Sequence, residues 1–445
     1  MSEIKDDLSR DAVRVAVASG WVPIAGILVL QQTSLGACAD CRDTHPVQVN
    51  IGKRTPNGLW SNETPRADSS SNNDNNDDGG RGQGRDGGYI NSGGNSSSNS
   101  RVPRPTIVAI VWNRATPCAA LYSELPAELK RLKFGRYFDQ PIRDIAWPDG
   151  VEDISFGRKF SQPIMGEEVQ TSPWPRALRR LTFGWSFNQP LVGVVWPEGL
   201  KEISLGNAFD QPLAAGTRWP SNLERITLEN YSKDLAEVSW PSGLRTLEIA
   251  GAFNRPMDAV TLPDGLESLT ISSAFNQRID QVSWPSGLKI LQLVGSRFNQ
   301  PITDVVWPAG LKRLAFGHEF NGVLERVALP DGLEHLTFGC RFDRPVEKVV
   351  WPASLKVVSF GDDFNQPVQR SVWPPALEEL SFGYSFNKDI CGTAWPQSLT
   401  RMVFGEKFNK TVEGVVWPSG LKYLIVGRKY KSYLLQGSVA EVSEL

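Results

Sequence analysis

Few places in this sequence bring together residue types that could do chemistry. Cys38-Ala-Asp-Cys41 followed by His45 has the spacing of three zinc ligands. A structural zinc site takes four, and the next cysteine, Cys118, lies far along the chain. His318, Cys340 and Asp362 recur at intervals of 22 residues, so in a repeating chain they occupy one column of successive turns, about one strand spacing (~4.8 Å) apart. A nucleophilic triad needs its His between nucleophile and acid; here Cys340 stands in the middle. The acid pairs Asp362-Asp363 and Glu378-Glu379 are residue types that glycoside hydrolysis uses, but they equally suit a solvated ridge. With only three His and a net charge of -2, the chain has little material for acid–base or metal catalysis. It also lacks the electrostatic footprint of a nucleic-acid or anionic-membrane binder. The expectation is a non-enzymatic protein with no cofactor and no metal site.

What positions these residues is an internal repeat. It starts at Leu125, Trp147, Trp174, Trp196, Trp219, Trp240, Leu262, Trp284, Trp307, Leu329, Trp351, Trp373, Trp395 and Trp417, with one wider interval between Trp147 and Trp174. A clean copy from Trp307 reads WPAGLKRLAFGHEFNGVLERVA. Leu311, Leu314 and Phe316 carry the spacing of a strand with one buried face, and Gly317 permits a tight bend after it. A second Phe recurs in twelve copies, among them Phe138, Phe187, Phe298 and Phe364, and stacking these rings would build an aromatic spine. The Asn or Asp after that Phe can bond backbone groups that cannot reach water. The two Pro columns set corners, and the IxxVV stretch between them reads as a second, shorter extended segment on the opposite side. One unit alone buries too little apolar surface to fold, so stability is collective across the stack.

The repeat resembles the FNIP repeat, a variant of the leucine-rich repeat whose signature is close to LPxSLxxLxFGxxFNQPI. The matching residues include Leu329, Pro330, Leu333, Leu336, Phe338, Gly339 and Phe342, and the FNQP tetrads at Phe187, Phe298 and Phe364. Eleven copies depart from it by placing Trp rather than Leu before Pro, and no F-box accompanies the repeats. The resemblance implies a fold and an interaction role rather than a reaction.

The expected fold is therefore mainly β: a right-handed, leucine-rich-repeat-like solenoid of about fourteen 22-residue turns with a parallel sheet, behind a disordered N-terminal extension. The alternative is a flattened parallel β-helix, which would show two strand faces per turn. The domain reading is an N-terminal segment over 1–60, a Ser/Asn/Gly/Asp-rich linker over 61–104, a cap over 105–124 in which TIVAIVW reads as a strand, the solenoid over 125–430, and a cap or tail over 431–445. The apolar stretch from Val15 to Leu30 is shorter than the roughly 20 residues of a membrane-spanning helix and follows an acidic start, unlike a secretory signal. An intracellular, cytoplasmic chain is the reading, with secretion the alternative; membrane association is not expected.

The functional expectation is a scaffold for an unknown protein partner, with a carbohydrate-binding or carbohydrate-active solenoid, or a structural surface protein, as alternatives. Trp185 sits in a loop column that elsewhere holds Arg, Asn, Asp or Glu, so it lacks the repeated packing role of the Trp-Pro tryptophans. Arg158 and Asn207 share its column, and Arg180 lies on the strand just before it. The inserted MGEEVQTSP (165–173) falls in the same region, as insertions at a working face do. An exposed Trp beside Arg is the composition of an interface hot spot.

Overall fold

The computed structural model describes residues 125–164, 174–213, 216–295, 297–427 and 430, together with the backbone of five further strands. Two compact units divide the chain, Met1–Ile110 and Val111–Leu445. In the first, β1 (Gly26–Gln31) pairs antiparallel with β2 (Gln48–Arg54), which pairs antiparallel with β3 (Trp60–Ser61). The end of the apolar stretch from Val15 is thus strand. The rest of that stretch, Cys38, Cys41, His45 and most of the expected linker lie outside the described residues. The strand expected in TIVAIVW is β4, Ile107–Trp112.

The repeat contributes fourteen strands: β5 (Arg131–Phe134), β6 (Asp153–Ser155), β7 (Arg180–Thr182), β8 (Glu202–Leu205), β9 (Arg225–Leu228), β10 (Thr246–Ile249), β11 (Ser268–Ile271), β12 (Ile290–Gln292), β13 (Arg313–Ala315), β14 (His335–Thr337), β15 (Val357–Ser359), β16 (Glu379–Ser381), β17 (Arg401–Val403) and β18 (Tyr423–Val426). Each pairs in parallel with the next, one repeat apart and in register, as in Leu291↔Leu314 and Leu314↔Leu336. A final strand, β19 (Val442–Glu444), pairs in parallel with β18. Turns are numbered from 1, starting at Leu125, to 14, starting at Trp417. No helix occurs among the described residues.

Each described turn has one strand, not two. The IxxVV stretch, expected to be extended, is a bend: in turn 8, Val305 N–H donates to Ile302 O at 3.4 Å across Thr303 and Asp304. A side chain pointing inward at Ile302 and again three residues on at Val305 needs a turn between them; a strand would alternate. The architecture is therefore leucine-rich-repeat-like and not a two-faced β-helix.

Three columns hold the stack together. The second Phe of each repeat is wholly buried, and its ring stacks on that of the next turn: Phe275, Phe298 and Phe320 lie 6.1 and 6.0 Å apart between centroids. Tyr231 takes this place in turn 5. The glycine of Phe-Gly is there because successive turns touch backbone to backbone: a Cβ on Gly339 would lie 1.9 Å from Gly317 O. Finally, each Asn or Asp after the spine Phe accepts the backbone N–H of its counterpart one turn on. This ladder runs unbroken from Asn254 through Asn276, Asn299, Asn321, Asp343, Asn365 and Asn387 to Asn409, at 2.9–3.1 Å. The Gln that follows reinforces it, Gln300 Nε2 donating to Asn276 Oδ1 at 3.1 Å. Backbone donors at the bends are thereby satisfied without a second sheet.

Candidate protein-binding ridge

The bend after each strand is closed by Gly and the spine Phe, so the residues between them are forced outward as a ridge. In turn 3 those residues are Trp185 and Ser186. Trp185 is 51% exposed. Its ring lies beneath the guanidinium of Arg158 from the turn before, with Cζ 5.0 Å from the ring centroid. That is the range of a cation–π contact, worth about 0.5–1 kcal/mol at an exposed site. Trp185 O accepts the N–H of Ala208 at 2.7 Å, so the ridge backbone is tied to the next turn while the indole stays accessible. Asn207 follows in the same column, half-buried.

Arg180 has a different task. On β7 it donates from Nε and Nη2 to Glu202 at 2.9 and 3.1 Å, and from Nη1 to Asp153 at 3.2 Å. The Glu202 hydrogen bonds hold the Arg180 guanidinium still more firmly protonated than usual, and in return Arg180 holds the Glu202 carboxyl below its ordinary range. The structure thus brings Trp185, Arg158 and Asn207 into one column and leaves Arg180 clamped between two neighbouring strands.

The ridge also holds residues not singled out from the sequence. Arg136 lies 5.5 Å from the centroid of exposed Tyr137, and Lys159 stands exposed next to Arg158. Over turns 1–4 the two ridge columns therefore carry three cations, two exposed aromatics and no carboxylate. The signal was present in the register, but it emerges only when adjacent columns are read together. Tyr384 with Lys407 at 5.1 Å repeats the motif in turn 12. A separate stripe lies just before the Trp-Pro corners, where Val306, Val350, Val372 and Val416 are 77–81% exposed. The insertion 165–173 lies outside the described residues.

The described residues of catalytic type are engaged locally or face solvent. His318 Nδ1 is held by Glu319 Oε1 at 2.8 Å. Burial, and then the Asp362 carboxylate, push the Cys340 thiol up in pKa, opposite to what a thiolate nucleophile requires. The acids at 362–363 and 378–379 are exposed. Among the described residues no group of three or more His, Cys, Asp or Glu could hold a metal ion, and no helix is long and apolar enough to cross a membrane.

A parallel ladder of short strands, one per 22-residue turn, closed by bends and packed on a leucine and phenylalanine core, defines a leucine-rich-repeat solenoid. Within that class the chain carries FNIP repeats: the FNIP Repeat family matches residues 122–159, 187–217, 253–296, 298–341 and 342–385. Among solved structures, CroV588, described as a novel circular LRR protein, is similar at 33% identity and a TM-score of 0.62 over 73% of this chain. This chain spans 50% of CroV588's length. An internalin of Listeria monocytogenes matches at 13% identity and a TM-score of 0.38 over 64% of this chain and 82% of its own. A leucine-rich-repeat protein of Leptospira interrogans matches at 13% and 0.39 over 73% and 93%. Comparison with curated proteins gave no match. The leucine-rich-repeat solenoid is a fold commonly used for protein interaction.

Proposed function

We propose that the chain is a non-enzymatic scaffold whose solenoid binds a protein partner through the ridge of turns 1–4. Trp185 is the anchor, Arg158 the cation seated on it, and Asn207 the adjoining polar contact. Arg180 acts beneath them, holding Asp153 and Glu202 so that β6, β7 and β8 present a fixed surface. One observation carries this reading: a large aromatic ring is exposed, yet its orientation is set by a guanidinium from the neighbouring turn. A pre-oriented Trp–Arg pair offers contact area at little ordering cost, and Trp and Arg dominate interface hot spots. The carbohydrate alternative calls for an aromatic-lined cleft, and the cleft over Asn230–Glu319 has no Phe, Tyr or Trp in its lining.

The test is site-specific cross-linking of the full chain. A benzophenone side chain at position 185 is expected to capture a protein that the same group at Val306 does not. Capture of the same set from both positions would argue against a ridge-specific partner.

A further inference from the structure

The same ridge changes character in the middle of the array. In turns 9–13 the strand ends in Phe-Gly and the turns stack glycine on glycine. Turns 6–8 instead read Ile249-Ala250-Gly251, Ile271-Ser272-Ser273 and Leu293-Val294-Gly295. Without the stacked glycine the bend is made one residue later, in the left-handed region, with φ of 73° at Gly251, 66° at Ser273 and 63° at Gly295. Ser273 is one of two non-glycine residues among those described that take a positive φ. Turn 5 has one residue fewer at this point, and turn 8 one more. The outcome is an open hollow of about 590 Å³ whose lining includes the small residues Ala252, Ala274 and Gly295.

Its chemistry is donor-rich. Asn230 uses Oδ1 to accept the Ala252 N–H at 2.9 Å, leaving its amide N–H groups to give. Glu319, the one carboxylate of the lining, is shared by His318 at 2.8 Å and Arg341 at 3.9 Å. Arg297 stands exposed on the turn-8 rim, with no carboxylate within salt-bridge distance among the described residues. Glu229, next to Asn230, is an exposed carboxylate outside the lining.

We propose that this hollow is a docking site for an acidic segment of a partner protein, with the Arg297 guanidinium pairing its carboxylate and the Asn230 amide and Ser273 hydroxyl donating alongside. The small lining residues leave room for a peptide main chain, no carboxylate pairs with Arg297 among the described residues, and no Phe, Tyr or Trp lines the hollow as a sugar platform. A backbone held in a strained conformation at Ser273 fits a site kept for binding. The site is separate from the Trp185 stretch of the ridge in turns 1–4 and stands or falls without it.

The test pans a random dodecapeptide phage library on the immobilised full chain and measures each enriched peptide on Arg297→Glu, Ala274→Trp and Trp185→Ala chains. Arg297 is exposed, so its charge reversal leaves the fold intact, which melting curves verify. The expected peptides carry two or more Asp or Glu, bind Arg297→Glu and Ala274→Trp at least about tenfold more weakly, and bind Trp185→Ala as they bind the native chain. Absence of enrichment over a blank surface, enrichment of neutral or basic peptides, or indifference to Arg297→Glu would each overturn the proposal. Peptides lost on Trp185→Ala and retained on Arg297→Glu would assign acid binding to the other ridge and likewise overturn it.

Discussion

Asn299 Oδ1 accepts the backbone N–H of Asn321 at 2.9 Å, and Asn321 does the same for Asp343 at 3.1 Å. The side chain of one turn thus caps the backbone of the next, through eight consecutive turns. Asn299→Ala removes the acceptor, at a cost of about 0.5–1.5 kcal/mol, the net worth of one hydrogen bond. Asn299→Asp is expected to be mild, since Asp210 and Asp343 already fill the column and accept from Ser232 and Asn365. Urea titration of the two variants measures the difference; equal losses would remove the ladder from the account of stability.

Phe298 is fully buried between Phe275 and Phe320. Phe298→Ala opens a cavity in a close-packed column and is expected to cost about 3–5 kcal/mol. Trp307→Leu is expected to cost far less. Leu262 and Leu329 occupy the same column with the same burial, and the Trp307 indole N–H has no acceptor among the described residues to leave unpaired. Denaturation midpoints compare them; a Trp307→Leu loss as large as that of Phe298→Ala would make the Trp column a primary core rather than a corner.

Acid should loosen the inter-strand clamp of Arg180. The Glu202 carboxyl titrates lower in the folded chain than its ordinary value near 4.5, chiefly because Arg180 hydrogen-bonds its charged form. A depressed folded pKa gives stability that is present above the unfolded value and is lost as pH falls through the folded one. Below about pH 4.5 the native chain is therefore expected to lose melting temperature more steeply than Glu202→Gln. Parallel slopes would show that the pair contributes nothing to the acid limb.

Ser273 takes a left-handed conformation that costs a side-chain-bearing residue roughly 1 kcal/mol, and its counterparts one turn either way are Gly251 and Gly295. Ser273→Gly is expected to raise the melting temperature while weakening acidic-peptide binding in the hollow. A variant less stable than the native chain would show that the hydroxyl supports the fold.

Much of the fold was legible because it is repeated. Fourteen aligned copies reveal the strand, the spine and the Asn bends, each at a fixed column. What repeats poorly was harder to read. The IxxVV stretch looked extended, whereas Ile302 and Val305 both face inward with a bend over Thr303 and Asp304 between them. Arg180 looked available for a partner because it was read against its own turn; Asp153 and Glu202 share its strand position on either side, and register alone pairs them. The hollow was marked by two one-residue length changes and four missing Phe-Gly pairs in turns 5–8, a signal that acquires meaning only once stacked glycines are known to close the ridge. The column set Trp185 outside the repeated core positions, and its ring is half exposed, but the Arg158 contact required coordinates.

The most direct measurement is the affinity of the partner captured at position 185 for the native chain and for Trp185→Ala, with melting curves recorded on the same samples. The expected result is a loss of about tenfold, about 1.4 kcal/mol, at an unchanged melting temperature, because half of the Trp185 side chain already faces solvent. Unchanged affinity, or affinity lost together with the fold, would contradict a Trp185-centred binding ridge.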